Sequence, residues 1–371
     1  MNKAVVAISN HAAMIGGGEY SFCDLLSKLP PEWIPTAVLP DNGELEDCLR
    51  KNGIHTVVVP LPPVRPWKIH TVLYSAWKLL KVCRDTHPLI IYANGSRAAL
   101  YSGIVGSILN LPVIWHCRVA EKELMDLLLT KLCTRIVANS RATAIRFSGR
   151  RSAKVRVVYN GLDLEWLSSP EVEWPFRVPK DWKIILVVAR ASRWKRHDIV
   201  LSAFERVAQE DPRIHLVCLG AKDENEPDWW DELQKRHRES KFSEQIHWEG
   251  HCEDVRPWYR AATLLALASD NEPFGRVVVE AMANSLPVVA MESGGVPEIV
   301  RHGKDGFLGT PGCSRSMADA FFRLLSDEGL RERMGKSAKQ RASDFSIERH
   351  IDHMAQLFAE TVKSKQGAVG G

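Results

Sequence analysis

Two glutamates eight residues apart bracket the segment of this 371-residue chain that is richest in chemistry. Glu272 precedes Pro273-Phe274-Gly275, a turn that predicts a helix start, and Glu280 follows within that helix. The first helical turn has free N–H groups at the positive end of the helix dipole, which suits a phosphate. At about 1.5 Å of rise per residue, Glu280 lies roughly 7–8 Å beyond Gly275, within reach of ribose hydroxyls. The segment therefore predicts a nucleotide-sugar site, in which Glu272 faces whatever hangs beyond the diphosphate.

Four further groups lie just past predicted strands, at the edge where parallel α/β sheets bind ligands. Glycines in such a turn let the backbone approach a ligand closely, and cations there neutralise a diphosphate. A histidine at a strand end is a better candidate for chemistry than one elsewhere. A tight structural turn or a solvated basic loop explains the glycines and the cations about as well. The groups are Gly16-Gly17-Gly18, His116, Arg190 with Lys195, and Gly294-Gly295.

The elements that must position these residues alternate regularly along the chain. Short apolar, β-branched runs are followed by helical patterns, which predicts an α/β fold with parallel sheets and helices on both faces. The strand candidates in the first half are residues 5–8, 36–39, 56–59, 89–92, 113–115, 135–138 and 155–158. Those in the second half are residues 184–189, 214–219, 246–248, 263–266 and 287–290.

The alternation stops once, in residues 168–181, which hold three prolines and no periodic pattern. We therefore expect an N-terminal domain over residues 1–168, and a nucleotide-sugar domain over residues 169–345 that contains the paired glutamates. A helical pattern over residues 345–363 has no strand after it. We expect residues 346–371 to form a C-terminal helix with a frayed tail.

Composition limits the possible classes of protein. The chain is 45% hydrophobic and 25% charged with a net charge of +4, which is ordinary for a globular protein and does not call for nucleic acid. Eight cysteines without a CxxC pair predict free thiols in a reducing compartment. The N-terminal apolar run is too short for a signal peptide, and no stretch favours a membrane span. We therefore expect a cytoplasmic protein.

Together, these motifs resemble the retaining GT-B glycosyltransferases of glycosyltransferase family 4, and the resemblance covers nearly the whole chain. It implies two Rossmann-like domains facing across a cleft, of which residues 1–168 would bind the acceptor. The C-terminal helix would pack back across the junction. Ala189 and Ser285 depart from the family pattern, because glycine is usual at both positions. The matching motifs are the loop at 16–18, His116, residues 137–140, 159–163 and 188–190, Lys195, Glu272 with Glu280, and Gly294-Gly295.

The resemblance also implies a role for each matching residue. Glu280 would bind the ribose, and Glu272 would approach the hydroxyls of the donor sugar. His116 would line that sugar near the reacting carbon. Other contacts to the donor would come from the backbone at Phe274 and Gly275, from Arg190 and Lys195 on the diphosphate, and from the loops at Gly16, Gly17, Gly294 and Gly295.

The activity implied is retaining transfer of a sugar from a UDP- or GDP-sugar to a saccharide. No Asp-x-Asp motif occurs in the chain, and the His and Cys residues lack zinc spacing, so we expect no metal and no other cofactor. Two alternatives stay open. One is transfer to a soluble small sugar or sugar phosphate on the same fold, and the other is a non-catalytic protein that only binds the nucleotide-sugar.

Two basic segments favour a lipid-linked saccharide as the acceptor. Residues 65–84 contain no acid, and on a helix Val72, Leu73, Ala76, Leu79, Leu80 and Cys83 would form one apolar face, with Tyr74, Trp77 and the basic residues mostly on another. Interleaved Trp, Tyr, Lys and Arg suit an anionic membrane surface, here the inner leaflet of the cytoplasmic membrane. Solvated faces of helices explain both segments about equally well. The second segment holds Lys131, Arg135, Arg141, Arg146, Arg150, Arg151, Lys154 and Arg156.

Overall fold

The computed structural model describes residues 3–14, 16–63, 65–147, 149–169 and 178–367 of the chain. Most of the expected boundary segment, residues 170–177, and the expected frayed tail, residues 368–371, lie outside the described residues, as do the side chains of Pro66, Arg150 and Arg151. The chain forms two compact units. The first comprises Met1–Leu162 with Ile347–Gly371, and the second comprises Asp163–Ser346.

Strands and helices alternate through both units. The strands are β1 (Lys3–Ser9), β2 (Trp33–Leu39), β3 (His55–Val58), β4 (Ile90–Asn94), β5 (Val113–Cys117), β6 (Arg135–Ala138), β7 (Val155–Val157), β8 (Lys183–Val188), β9 (Ile214–Leu219), β10 (Ile246–Gly250), β11 (Leu264–Leu267), β12 (Val288–Met291) and β13 (Gly306–Gly309). The helices are α1 (Gly17–Ser27), α2 (Glu44–Lys51), α3 (Ile69–Thr86), α4 (Ser96–Leu109), α5 (Asp126–Leu132), α6 (Arg141–Ala144), α7 (Leu164–Ser168), α8 (His197–Ala208), α9 (Pro227–Glu239), α10 (Arg256–Ala261), α11 (Arg276–Ala283), α12 (Val296–Ile299), α13 (Ser314–Ser326), α14 (Glu328–Ala342) and α15 (Ile347–Gly367).

The first unit is a seven-stranded parallel sheet in the order β3-β2-β1-β4-β5-β6-β7. Helices cover both faces, so the inner strands are buried on both sides and are almost continuously apolar. One face packs against α3, α4 and α5, and the other against α1 and α15. Helix α15 belongs to this second layer, where Phe358 meets the ring of Trp33 edge-on at 5.5 Å.

The second unit is a six-stranded parallel sheet in the order β10-β9-β8-β11-β12-β13. In both units the order reverses beside the first strand, between β1 and β4 in one and between β8 and β11 in the other. Loops that leave adjacent strands on opposite sides of such a point form a crevice, where open parallel sheets bind ligands. Two Rossmann-like sheets confirm the fold predicted from the alternation.

All twelve expected strands are present, some shifted by one to three residues at an end. The thirteenth, β13, was missed. Its sequence is Gly306-Phe307-Leu308-Gly309, and two glycines in four residues give a weak local signal for a strand. It forms because parallel pairing with β12 supplies partners that local propensity cannot reveal.

The expectation that all eight cysteines are free thiols was wrong for one pair. Cys23 on α1 and Cys48 on α2 are joined in a disulfide, and the other six cysteines are free. The two residues are 25 positions apart and share no motif, so only the packing of α1 beside α2 brings them together. None of the helices in the described part of the chain has both the length and the apolarity needed to cross a bilayer.

Candidate active site

Helix α11 begins as the Pro273-Phe274-Gly275 turn predicts. Gly275 is the N-cap with φ of +101°, a conformation that favours glycine, and no side chain caps the first turn. The Phe274 side chain is buried and its ring meets that of Phe345 at 5.8 Å. The turn is therefore anchored by Phe274, and the positive end of the α11 dipole lies at Gly275.

Gly294 and Gly295 hold the backbone of Glu272. A β-carbon on Gly294 would lie 2.1 Å from the Glu272 carbonyl oxygen, and Gly294 has φ of +59°. The N–H of Gly295 donates to the same oxygen at 2.7 Å. The two glycines expected at a ligand thus lie against the main chain of the first glutamate and fix its position.

Lys195 and Glu272 form a buried ion pair across 77 residues of sequence. Lys195 Nζ lies 2.7 Å from Glu272 Oε2, and their side chains are 14% and 10% exposed. Lys195 ends a short 3-10 turn after β8, and its ammonium also lies 3.9 Å from the centroid of the Trp194 ring. The predicted diphosphate cation and the predicted sugar carboxylate are therefore direct neighbours.

Arg190 follows the same strand and is held by an acid that the sequence interpretation missed. Its Nε lies 3.3 Å from Asp223 Oδ2, and Asp223 is buried beyond the end of β9. The Arg190 side chain remains 41% exposed, so it is accessible to a ligand. A carboxylate one loop after β9 was the only local signal for this partner.

Glu280 is fixed by two residues that the sequence did not single out. The hydroxyl of Tyr259 donates to Glu280 Oε2 at 2.8 Å, and Arg276 Nε lies 3.4 Å from Oε1. Burial, and then the negative charge of Glu280, raises the pKa of Tyr259 well above its usual value, so the phenol stays a donor. Tyr259 lies on α10 between Trp258 and Arg260, and no local pattern there marks it as a partner of Glu280.

In the first unit, the glycine loop before α1 is already hydrogen-bonded to a carboxylate of the chain itself, that of Glu19. Glu19 is buried, and its Oε2 accepts from the N–H of Gly16 at 3.1 Å while its own N–H donates to the Gly16 carbonyl. This capping arrangement satisfies one of the N–H groups that we expected to face a phosphate. Gly17, the first residue of α1, is exposed.

His116 does not follow its strand as expected, because β5 continues to Cys117. The side chain is fully buried, with the Tyr92 hydroxyl 2.7 Å and Arg118 Nη2 3.5 Å from Nδ1. Burial, and then the positive charges of Arg118 and His350, keeps the pKa of His116 well below its usual value. The ring is therefore neutral at pH 7, and within the described residues its Nε2 has no hydrogen-bond partner.

The side chain at the end of β5 that meets other polar groups is Arg118, which sequence reasoning missed. Its Nε donates to Asn94 Oδ1 at 2.6 Å, and Nη1 donates to Asn160 Oδ1 at 2.7 Å. Both partners are neutral amides, so the guanidinium keeps its full charge. A basic residue one position beyond a buried strand was the signal available.

The second basic segment is not a uniform surface. Arg146 is 3% exposed and is bound by Asp126 and Glu123, and Lys154 Nζ donates to the carbonyls of Thr130 and Cys133 at the end of α5. The expected patch of eight cations therefore loses Arg146 to the interior, and Lys154 is half-buried with its ammonium turned to main-chain carbonyls. Lys131, Arg141 and Arg156 are exposed.

The first basic segment does form an exposed face on α3. Ile69, Leu73 and Trp77 recur every four residues and are 53%, 63% and 58% exposed, and Trp67 just before them is 71% exposed. We call these four residues the α3 face. Leu73 was expected on one apolar face with Val72, Ala76 and Leu79, but it is exposed. The buried residues of α3 are Val72, Ser75, Ala76, Leu79 and Cys83. Lys68 immediately precedes α3, and Lys78, Lys81 and Arg84 lie along it.

The structure therefore groups the expected residues by unit. In the second unit, Lys195, Glu272, Gly294 and Gly295 meet directly, and Glu280 lies on the helix that Gly275 begins. Gly16, Gly17 and His116 belong to the first unit. Over the ranges that the structure describes, no group of three His, Cys, Asp or Glu side chains could hold a metal ion.

Two family models together match nearly the whole chain. The model described as Glycosyltransferase Family 4 matches residues 15–166, and the one described as Glycosyl transferases group 1 matches residues 168–341. The crystal structure of Anabaena HepE in complex with UDP and glucose superposes with a TM-score of 0.82 at 25% identity. That superposition covers 97% of this chain and 99% of the other.

The similarity to curated relatives extends over a smaller part of each chain. D-inositol 3-phosphate glycosyltransferase of Streptomyces bingchenggensis is 31% identical over 243 residues, which are 62% of this chain and 53% of the relative. N-acetyl-alpha-D-glucosaminyl L-malate synthase of Bacillus anthracis is 25% identical over 58% of this chain and 56% of its own length. The chain spans about half the length of the curated relatives it matches.

Proposed function

The chain belongs to glycosyltransferase family 4, and from that premise we propose that it transfers a sugar from a nucleoside-diphosphate donor to a saccharide acceptor. The observation that carries the proposal is the buried Lys195–Glu272 pair beside the start of α11. A cation, a carboxylate and the positive end of a helix in one place suit a diphosphate joined to a sugar. Glu280, farther along α11, then accepts from the ribose hydroxyls.

The proposed mechanism uses fixed charges. As the glycosidic bond breaks, negative charge grows on the β-phosphate, and Lys195, Arg190 and the first turn of α11 stabilise it. Glu272 holds hydroxyls of the sugar while its ion pair with Lys195 keeps both groups in position. We propose that the acceptor attacks the face that the phosphate leaves and that the phosphate takes the acceptor proton, so the anomeric configuration is retained.

We propose that no metal takes part, because the chain has no Asp-x-Asp motif and its own cations supply the positive charge. For the donor, HepE was crystallised with UDP and with glucose, so UDP-sugars are the first to test. The prediction is that transfer survives excess EDTA. Activity that is lost in EDTA and restored by Mg²⁺ or Mn²⁺ would contradict it.

A thermal-shift panel of UDP, GDP, ADP and their sugars tests the donor site. A nucleotide at 100 times its dissociation constant stabilises the protein by about 2.7 kcal/mol, which one of the three should reach. Glu280→Ala is expected to lose that shift, whereas Glu272→Ala keeps much of it and loses turnover. Glu298→Gln, on the short helix α12, is the matched control and should keep both. The reverse pattern would show that the two glutamates have exchanged roles.

For the acceptor, we propose a lipid-linked saccharide at an anionic membrane, with the protein on the cytoplasmic leaflet. The support is the α3 face, where Ile69, Leu73 and Trp77 are exposed on a helix with three Lys or Arg residues and one acid, and Trp67 is exposed just before it. Such a helix buries its apolar side chains at the headgroup boundary while its cations meet anionic lipids.

Vesicle co-sedimentation tests this contact. We expect binding to vesicles of mixed phosphatidylglycerol and phosphatidylcholine and much weaker binding to phosphatidylcholine alone. Leu73→Ser with Trp77→Ser should abolish it, and Ile34→Ser, an exposed apolar residue on β2, should not. Equal, negligible sedimentation with both vesicles would remove the membrane from the proposal.

A second candidate is transfer to a small soluble acceptor. It is favoured by the two relatives, whose names specify D-inositol 3-phosphate and L-malate as what they act on. Release of nucleoside diphosphate that rises on adding inositol phosphate or malate would favour this candidate. A non-catalytic binding protein would give the nucleotide thermal shift but no slow hydrolysis of any donor.

A further inference from the structure

Tyr259 is a buried residue of the second unit whose hydroxyl is directed at Glu280. Its side chain is 1% exposed and belongs to α10, a short helix that packs against β8. The hydroxyl donates to Glu280 Oε2 at 2.8 Å, across 21 residues of sequence. A hydrogen bond from a phenol to an ionised carboxylate is charge-assisted, and is therefore stronger than one between two neutral groups.

The other contact of the Glu280 carboxylate comes from its own helix. Arg276 lies one turn earlier on α11, and its Nε is 3.4 Å from Glu280 Oε1. That separation is longer than the roughly 2.7–3.2 Å of most N–H···O hydrogen bonds. The carboxylate is thus held firmly at Oε2 by another helix and weakly at Oε1 by its own. We therefore attribute its orientation mainly to Tyr259.

These two contacts leave Glu280 with room for two more hydrogen bonds. An ionised carboxylate has about four lone-pair sites. Within the described residues, Tyr259 and Arg276 occupy two of them. A ribose has two neighbouring hydroxyls, O2′ and O3′, and each can donate one hydrogen bond. The capacity that remains on Glu280 therefore matches a ribose, whereas a deoxyribose would leave one lone pair without a donor.

We propose that Tyr259 is a positioning residue that makes the nucleotide site select ribonucleotides over deoxyribonucleotides. Its hydroxyl fixes the Glu280 carboxylate in the direction in which both ribose hydroxyls can reach it. Because the Tyr259 side chain is buried, it acts through Glu280 and not by touching the nucleotide. The proposal rests on the function proposed above, since it requires that Glu280 meet the ribose of the donor.

A hydrogen bond that only stabilised the fold would have a different consequence when it is removed. Its loss would lower the melting temperature and weaken the binding of all nucleotides alike. Loss of a positioning bond weakens the ribonucleotide alone, because only the ribonucleotide carries both hydroxyls that the carboxylate must meet. The quantity that separates the two roles is the Kd of the deoxyribonucleotide divided by that of the ribonucleotide, which we call the ribose ratio.

Titration calorimetry on the full chain measures the ribose ratio without needing an acceptor. The probes are UDP, GDP and ADP, each in its ribo, 2′-deoxy and 3′-deoxy form. The wild-type protein should give a ribose ratio of at least about ten for one of the bases, as expected for a hydrogen bond to a charged group. Tyr259→Phe removes only the hydroxyl and should lower the ribose ratio to less than about three, while the Kd of each deoxy form changes less than about twofold.

Tyr101→Phe is the matched control. Tyr101 is also fully buried, and its hydroxyl donates to the Pro62 carbonyl at 2.7 Å in the first unit. This variant should keep the wild-type ribose ratio. The double variant Tyr259→Phe with Glu280→Ala should give the same ribose ratio as Glu280→Ala alone, because Tyr259 acts through that carboxylate.

Partial unfolding of Tyr259→Phe does not obscure the result. The folded fraction scales the apparent Kd of both nucleotide forms equally, so it cancels from the ribose ratio. An unchanged or larger ribose ratio in Tyr259→Phe, or a wild-type ribose ratio near one, would overturn the proposal and leave the donor site in place. If no nucleotide binds to the wild-type protein, the proposed function fails as well.

Discussion

The two units share one sheet topology but differ in the sign of their net charge and in the number of large apolar side chains that they expose. The first carries 23 Lys and Arg against 14 Asp and Glu, a net charge of +9, whereas the second carries 26 against 31, a net charge of −5. Of the exposed large apolar side chains in the described residues, sixteen lie on the first unit and three on the second. The same sheet order therefore supports one surface suited to an anionic, apolar partner and one suited to water.

The cations at the ligand edges differ as well. In the second unit, Arg190, Lys195 and Arg276 each pair with a carboxylate, so their charges are positioned and partly balanced. In the first unit, Arg118 is held by two neutral amides and keeps its charge. Function depends on such local groups, because a fold that both units share does not by itself specify what either unit binds.

The largest expected effect is a loss of stability when Arg146 is replaced, because this member of the second basic segment is buried. Arg146→Ala leaves buried Asp126 without its partner, and we expect a loss of about 3–5 kcal/mol in the free energy of unfolding. Urea denaturation measures it. Lys131→Ala, at an exposed position on α5, should change stability by less than about 0.5 kcal/mol. Equal effects would mean that Arg146 is a surface residue after all.

In the second unit, Gly294→Ala is expected to cost about 2–3 kcal/mol, because the new β-carbon meets the Glu272 carbonyl and φ is positive. The displaced Glu272 should also abolish turnover. Gly303→Ala is the control, since its φ is +75° but nothing lies within 4 Å of the added carbon. It should cost about 1 kcal/mol and leave turnover intact. Hydrogen exchange of the Gly294→Ala variant should show reduced protection in the second unit only.

Acid should weaken both units through buried histidines. Burial, and then the charge of Lys195, lowers the pKa of His197 to about 4, and burial also lowers the pKa of His116. Each histidine therefore adds stability that is complete above about pH 6.5, its unfolded pKa, and is lost as the pH falls towards the folded value. We expect a slope of about 1.4 kcal/mol per pH unit from each.

Hydrogen exchange, corrected for intrinsic rates, separates the units. His197→Asn should flatten the acid dependence of the second unit and His116→Asn that of the first. His70→Asn, on the exposed side of α3, should flatten neither. If either variant keeps the wild-type slope in its own unit, that histidine does not titrate as its burial implies.

The smallest effect is expected on the α3 face. Leu73→Ser should change the free energy of unfolding by less than about 0.5 kcal/mol, because the side chain is 63% exposed. Leu79→Ser, on the buried side of the same helix, should cost at least about 2 kcal/mol. A large loss from Leu73→Ser would indicate that the residue is buried in the folded protein and not available to a membrane.

Much of the fold was predictable because its signals are local. Apolar runs of three to six residues predicted twelve strands, and the Pro273-Phe274-Gly275 turn predicted the start of α11. β13 was missed because glycines at both ends of a four-residue strand carry no local preference for it. The Cys23–Cys48 disulfide was missed because its partners meet only when α1 packs beside α2.

The sequence by itself determined the alternation of strands and helices, the glycine turns and the paired glutamates, since each depends on residues a few positions apart. Tertiary structure decided the pairings: Lys195 with Glu272 across 77 residues, and Tyr259 with Glu280 across 21. It also put His116 and Arg146 in the interior and left Leu73 and Trp77 outside. Periodicity shows that a side chain shares a face with others, but which face is covered depends on strand order and on helices distant in sequence.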